Sequence, residues 1–460
     1  MSNSSDDSGG ILAPISLKEK IGYGLGDLGF NFYWANISAF LLVFYTDVFG
    51  ISAAAAGTMM LVTKIVDAFT DPVMGAIADR TNTKWGKFRP YLLWGGLPMA
   101  AAGVITYTTP DLGADGKLVW AYGTYTLMML MYTVLSVPYS ALSGVITARS
   151  QDRTELISFR FIAAFTGTTL VNFFTLDLVE FLGNGNEKLG WQLTMAVYGV
   201  LAAIVFAGVS LTTKERVTPP ANQKTNAIND LKDLLNNRPW LVLFTLALVI
   251  MITITMRAGA SIYYIKYYVE RPDLIKYFLT AYGIALAVGA ATTPLMTRFL
   301  DKKRLMIVLM ATTGTLSILF FFIPAQNIWL MFAIHILIGF ALGPKSPLAF
   351  SMYADTADYT EWKTGRRATA MTFSAAIFSQ KLGGALASFG IGAILAAMGY
   401  VANEAQSDAS QTGIVIAISI VPGIIAMLAA FVMTFYTLDK ELLTKIQNEL
   451  TERKAKLDND

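Results

Sequence analysis

Runs of strongly apolar residues separated by short polar stretches recur along the whole chain. They lie near residues 22–46, 54–79, 90–109, 118–146, 156–180 and 191–212, and again near 240–268, 274–298, 305–323, 328–353, 368–398 and 412–436. Roughly 20 residues is the length that an α-helix needs to cross the hydrocarbon core of a bilayer. The pattern therefore predicts an all-α integral membrane protein with twelve transmembrane helices in two sets of six. Between the sets, residues 213–239 are polar and hold Pro219, Pro220 and several asparagines, which suits a linker or a surface helix. The expected organisation is a tail (1–20), a six-helix bundle (21–212), a linker (213–239), a second six-helix bundle (240–436) and a tail (437–460).

Composition agrees with that class. The chain is 54% hydrophobic and 15% charged with a mean hydropathy of +0.51, too few charges to cover a soluble globule of 460 residues. Charge placement then sets the orientation. Of the 35 lysines and arginines, 25 fall in the tails and the even-numbered connections, while the odd-numbered connections hold only Lys117, Lys188, Lys266, Arg271 and Lys276. Basic residues accumulate on the cytoplasmic side, so both termini are expected there, in a plasma membrane such as the bacterial inner membrane. The polar segment MSNSSDDSGG lacks the basic and apolar regions of a cleaved signal and reads as a cytoplasmic tail.

Several function classes drop out. The net charge is only +3, with no basic stripe for nucleic acid. Cysteine is absent, which excludes disulfides and thiolate sites. The single histidine, His335, lies among large apolar residues and reads as a packing residue rather than a proton relay. No metal-ligand spacing, phosphate-binding loop or nucleophile elbow occurs, so neither an enzyme nor a resident cofactor is expected.

The informative residues are charges inside the apolar runs. Asp67 and Asp71 lie four residues apart in the second span, on one face of a helix. A carboxylate there costs several kcal/mol unless it meets a cation, a partner or water, so it marks a functional site by default. Five cations are buried in the same sense: Lys64, Arg160, Arg257, Lys345 and Lys381. Lys64 and Arg257 can pair or snorkel near a helix end. Arg160 follows RSQDRTE by about one turn, a position that also allows snorkelling, whereas Lys381 lies near the middle of SAAIFSQKLGGALASFG with no charge nearby. The aromatic residues suit either a sugar pocket or interfacial belts.

Two resemblances follow. The stretch GAIADRTNTKWGKFR resembles the loop signature of the major facilitator superfamily between helices 2 and 3. In that reading Asp79 and Arg80 form part of a gate that pairs in one conformation and releases in the other. More specifically, DAFTDPVMGAIADRT with WGKFRPY, SVPYSAL before FRFIAAF, and ADTADYTEWKTGRRATA leading into FSQKLGG together resemble the glycoside–pentoside–hexuronide:cation symporter family, relatives of the melibiose permease. The resemblance spans residues 21–437 and implies a major facilitator fold and symport of a sugar with Na⁺ or H⁺. It implies a cation site at Asp67, Asp71 and Thr133, the two carboxylates being the metal ligands when the ion is sodium. It implies a sugar region containing Tyr132, Arg160 and Lys381, and an inner gate containing Asp355, Asp358, Glu361, Arg366 and Arg367. A monomer in contact with membrane lipid is the family's usual state.

Departures from the melibiose-type pattern point to a different sugar. Asn31 and Ser136 stand where those carriers have aspartates, and Ser140 and Ser346 where they have tryptophans. Lys345 is gained one position from a sugar-bordering place. Counted this way, the pocket moves by about three charge units toward positive, and a buried unpaired cation costs several kcal/mol. The expectation is therefore an anionic glycoside or hexuronide bound by Asn31, Tyr132, Ser136, Arg160, Lys345 and Lys381. A neutral glycoside or pentoside is the alternative, with Lys345 paired to a carboxylate instead. A lysolipid carrier is a third reading and a membrane sensor a fourth. The polar cations argue against the former, and the short charged tail against the latter.

Overall fold

The structure is a computed structural model and describes residues 15–147, 150–216, 234–365 and 369–457. Every regular element among them is helical. The chain divides into two compact units, one of Met1–Asn222 with Val401–Glu404 and one of Gln223–Tyr400 with Ala405–Asp460.

The first unit opens with α1 (Leu17–Gly24) and α2 (Gly26–Ala39), followed by the short α3 (Leu41–Val43) and a π-helical turn, Phe44–Phe49. The axis bends by 54° between residues 39 and 41, and Gly50 ends the π turn with a left-handed backbone at φ +82°. Then come α4 (Ala53–Arg80), α5 (Arg89–Thr106), α6 (Ala114–Ile146), α7 (Ser150–Gly183) and α8 (Glu187–Thr212). Ser52 caps α4 and Asn186 caps α8, each accepting from the backbone N–H of the third residue of the helix.

In the second unit α9 (Arg238–Tyr263) starts on the Asn237 cap and runs into a π turn, Tyr264–Tyr268. It is followed by α10 (Ile275–Phe299), α11 (Lys302–Phe320), α12 (Ile328–Leu342), α13 (Lys345–Thr364), α14 (Thr369–Ala397), α15 (Asp408–Ile418), α16 (Ile420–Thr434) and α17 (Lys440–Leu457). The tenth apolar run is not one continuous helix. Gly343 and Pro344 separate α12 from α13, and Pro344 has no N–H with which to continue the ladder. The twelfth run is likewise interrupted, at Ser419.

The same packing scheme recurs in each unit. The first and fifth long helices pack together (α2 with α7; α9 with α14), as do the third and sixth (α5 with α8; α11 with α16) and the second and fourth (α4 with α6; α10 with α12). Two sequence sets of six thus fold alike, as parallel repeats do.

Among the described residues ten helices are long and apolar enough to cross a membrane, or eleven with the bent pair Leu17–Ala39 and Leu41–Phe49. The expected twelfth, α5, falls outside that set. Its 18 residues begin Arg-Pro-Tyr and contain three glycines and a second proline, which dilute its hydropathy, while its packing against α6 and α8 buries seven of them.

Most of the expected linker 213–239 lies outside the described residues, but its start is fixed. Glu19 accepts from the Lys214 N–H and the Arg216 guanidinium, each at 2.8 Å, and Glu215 accepts from the N–H groups of Lys87, Phe88 and Arg89. The segment after α8 is therefore tied to the polar ends of α1 and α5.

Candidate functional site

On α4, Asp67 and Asp71 face α6 one turn apart, and Thr133 of α6 reaches both. Its Oγ1 lies 2.7 Å from Asp67 Oδ1 and 3.0 Å from Asp71 Oδ1. Asp67 and Thr133 are buried and Asp71 is half-buried. A threonine hydroxyl carries one proton, so it donates to one carboxylate at a time. The second short contact is satisfied when the other carboxylate is protonated or when a cation shares the oxygens. An all-oxygen set of this kind suits a hard cation or a proton. Among the described residues no group of three or more His, Cys, Asp or Glu forms a metal cluster.

Lys64, one turn before Asp67, does not snorkel. It is buried, its Nζ lies 4.0 Å from Asp67 Oδ2 and 3.7 Å from the Met129 sulfur, and it stands over the Trp34 ring at 4.9 Å.

A second cluster surrounds Arg160. Arg160 lies little more than a turn into the candidate span Glu155–Gly183, and its guanidinium is turned to Asp27 of α2. Its Nε donates to Asp27 Oδ2 and its Nη2 to Asp27 Oδ1, while Nη1 lies 3.4 Å from the Tyr23 hydroxyl. The guanidinium stacks over the Tyr139 ring at 4.7 Å. Tyr23 and Tyr139 are themselves crossed: each hydroxyl donates to the other's backbone carbonyl, and the rings stack with centroids 4.8 Å apart. The local sequence YGLGDLG permits this approach. A Cβ at Gly24 would fall 2.6 Å from Phe159 Cβ, and one at Gly26 only 2.4 Å from the Tyr139 ring.

Asp27 was not among the residues expected to form the site. Its signal was available, since it is an acid inside the first apolar run, as Asp67 and Asp71 are in the second. Arg160 is therefore already paired with a carboxylate.

Asn31 is half-buried on α2. Its amide donates to the Asp27 carbonyl at 2.7 Å and its Oδ1 accepts from Thr168 at 3.0 Å. Tyr132 packs edge-on to Phe30 at 5.3 Å and near Trp34 at 6.4 Å, and Phe30 also touches Tyr139. A line of ring contacts thus joins the Arg160 cluster to the Lys64 and Asp67 corner. Ser136 is half-buried on α6, three residues past Thr133.

In the second unit Lys345 is the first residue of α13, just past the Gly343–Pro344 break. With Ser346, Tyr353 and Gln380 it lines a small cavity, and no described carboxylate pairs with it. A lysine at a helix N-terminus adds its charge to the positive end of the dipole. Lys381 is half-buried on α14 beside Gln380.

Of the expected gating residues, Arg80 is exposed at the end of α4, and Asp355 is buried and paired with Lys302 at 2.7 Å. Asp358 and Glu361 are half-buried on α13. The side chain of Asp79, together with Arg366 and Arg367, lies outside the described residues.

Arg257 is fully buried. Its Nη1 donates to the Ile418 carbonyl at 2.8 Å, where α15 breaks, and its Nη2 lies 2.9 Å from His335 Nδ1. Since Arg257 only donates, His335 accepts at Nδ1 and carries its proton on Nε2. The imidazole stacks on Phe278 at 3.6 Å, in keeping with a packing role.

The family described as MFS/sugar transport protein matches residues 22–440. The chain is 37% identical to the inner membrane symporter YicJ of Escherichia coli over 96% of both chains. It is 33% identical to the isoprimeverose transporter of Lactiplantibacillus pentosus, covering 96% of this chain and 93% of that one, and 32% identical to the glucuronide carrier protein homolog of Escherichia coli over 96% of both. Among solved structures, the D-xylose–proton symporter superposes with a TM-score of 0.67 at 16% identity, covering 92% of this chain and 98% of that one. That likeness concerns the fold alone. With the paired carboxylates, the repeated six-helix packing and this coverage together, the chain belongs to the MFS/sugar transport proteins, in their glycoside–pentoside–hexuronide:cation symporter family.

Proposed function

We propose that the protein is a cation-coupled symporter that imports a glycoside by alternating access. Asp67, Asp71 and Thr133 hold the cation. The observation that carries this reading is the Thr133 hydroxyl within hydrogen-bonding distance of both carboxylates, deep in a membrane-spanning bundle. Bound cation neutralises α4 and stabilises its contact with α6, which also carries Tyr132 and Ser136. The two ligands are thereby linked through one helix pair, and the linkage is reciprocal at equilibrium. The names of the relatives support the substrate class, and the basic cytoplasmic loops support an inner-membrane location with both termini inside. Residues 21–212 and 240–436 serve as the two bundles, with 213–239 linking them, and Asp355, Asp358, Glu361, Arg366 and Arg367 act with Asp79 and Arg80 as the inner gate. Purified protein in proteoliposomes tests the proposal. Labelled glycoside accumulates only when an inward Na⁺ or proton gradient is imposed, and accumulation without either gradient rejects the coupling.

Two observations bear on the sugar. Lys345, at a helix start with no described carboxylate pairing to it, favours an anionic glycoside or hexuronide, with Lys381 contributing a second positive charge. The Arg160–Asp27 pair favours a neutral glycoside, because together the two groups donate to and accept from hydroxyls without net charge. Competition between neutral glycosides and their uronic acids in the parental protein and in Lys345→Met separates them. An anionic preference that disappears in the variant supports the first, and equal displacement in both proteins supports the second.

A further inference from the structure

We infer that Asp27 is a specificity-determining residue. It holds Arg160 as a charge-compensated, pre-oriented hydroxyl-binding fork and so prevents that arginine from selecting anionic sugars. The inference rests on the glycoside reading above and concerns one corner of that site.

The geometry supports it in three ways. First, Arg160 approaches the Asp27 carboxylate through both Nε and Nη2, the side-on fork that an incoming carboxylate would otherwise occupy. A sugar carboxylate would have to displace Asp27 or bind where the arginine's charge is already compensated. Second, Asp27 does not stand alone. The Tyr139 hydroxyl lies 3.2 Å from Asp27 Oδ2, the Asn31 amide donates to the Asp27 backbone carbonyl, and the stacked Tyr23 and Tyr139 rings fix the guanidinium plane. Third, the pair is not sealed. The Arg160 and Asp27 side chains remain 25% and 16% exposed, so the pair is partly open rather than enclosed in the protein interior. Such a pair offers donors and an acceptor at once, which matches vicinal hydroxyls of a sugar ring.

A merely structural salt bridge makes a different prediction from a specificity device. Removing it weakens every ligand alike, or lowers stability, without changing the ranking of ligands. Removing a specificity device changes the ranking in a direction fixed by the charge left behind.

The test compares matched pairs: methyl glycosides of glucose and galactose, and the corresponding methyl glycosiduronic acids, which differ only at C6. The readout is the ratio of uronide to glycoside affinity in purified protein, measured by competition or ligand-induced thermal shift. In Asp27→Asn the freed Arg160 is expected to raise that ratio about tenfold or more over the parent. In Arg160→Gln the exposed Asp27 carboxylate is expected to lower it, and in the double variant the ratio returns toward the parental value. A ratio in Asp27→Asn within twofold of the parent overturns the inference without touching the glycoside reading on which it rests. Should Asp27→Asn not fold, the sign of the change in Arg160→Gln decides alone. A parental protein that binds none of the four compounds overturns both the inference and the sugar reading beneath it.

Discussion

Lys64 Nζ stands 4.0 Å from Asp67 Oδ2, one helical turn away on α4, and both side chains are buried. The ammonium is a resident positive charge beside the carboxylates that are to receive the transported ion. Like charges at such a distance repel by about 4 kcal/mol at an effective dielectric of 20 before relaxation, so an incoming cation competes with Lys64 for Asp67. In Lys64→Met the half-saturating Na⁺ concentration for uptake, or the proton concentration if protons are used, is expected to fall severalfold. Ion titration of uptake checks this, and an unchanged half-saturation would show that Lys64 does not compete.

Neutralising either carboxylate should uncouple the carrier before it destroys the sugar pocket. Asp67→Asn and Asp71→Asn are each expected to abolish gradient-driven accumulation while retaining a substantial part of energy-independent exchange or binding. Asparagine preserves the shape and an acceptor for Thr133 but removes the charge that the ion requires. Parental accumulation in both single variants would make the pair structural.

Thr133→Val removes the hydroxyl that serves both acids while keeping its volume. Loss of one charge-assisted hydrogen bond is worth roughly 1.5–3 kcal/mol, so apparent cation affinity is expected to drop by about tenfold or more, and Thr133→Ser should recover most of it. The comparison of serine with valine separates the hydroxyl from packing.

At the other unit, Lys302→Met leaves the buried Asp355 carboxylate without its ammonium partner. Lys302 is itself 35% exposed, so water offsets part of the loss. A destabilisation of about 1–3 kcal/mol is expected, read as a lower Tm of purified protein. Asp355→Asn combined with Lys302→Met should restore much of it, because neither partner is then left charged.

Arg257→Met removes the donor to the Ile418 carbonyl at the break in the last transmembrane segment and strands His335 Nδ1. Two buried acceptors lose their partner, and a cost of about 2–4 kcal/mol is expected. Thermal unfolding in detergent measures it. A parental Tm would mean that methionine packing compensates for the lost hydrogen bonds.

Much of the architecture was legible in the order of residues, because the bilayer imposes a length and a polarity on each span that a single sequence displays directly. The apolar runs, the polar connection after residue 212 and the acids at 67 and 71 needed no tertiary information. The breaks at Gly343–Pro344 and Ser419 were less visible. Hydropathy is insensitive to a single lost hydrogen bond in the helix ladder, and only the proline offered a local signal. The span count also stayed open at α5, whose opening arginine and prolines lower its hydropathy although it packs against α6 and α8 like the other long helices.

The candidate site divides along the same line. Asp67 and Asp71 are near neighbours on one helix, so helical periodicity alone places them together. Arg160 and Asp27 are separated by 133 positions, and nothing in either local segment reveals their pairing. Glycines 24 and 26 bring α1 and α2 close enough to α6 and α7 for the contact to form. The same is true of Lys302 with Asp355 and of Arg257 with His335. The sequence alone determined that charges are buried in this protein and roughly how many, since burial in a bilayer follows from span membership. Only the tertiary structure decided which of those charges are compensated, because ion pairing depends on ångström-scale distances between helices that are remote in the chain. That distinction moved Arg160 from a lone cation to half of a neutral pair.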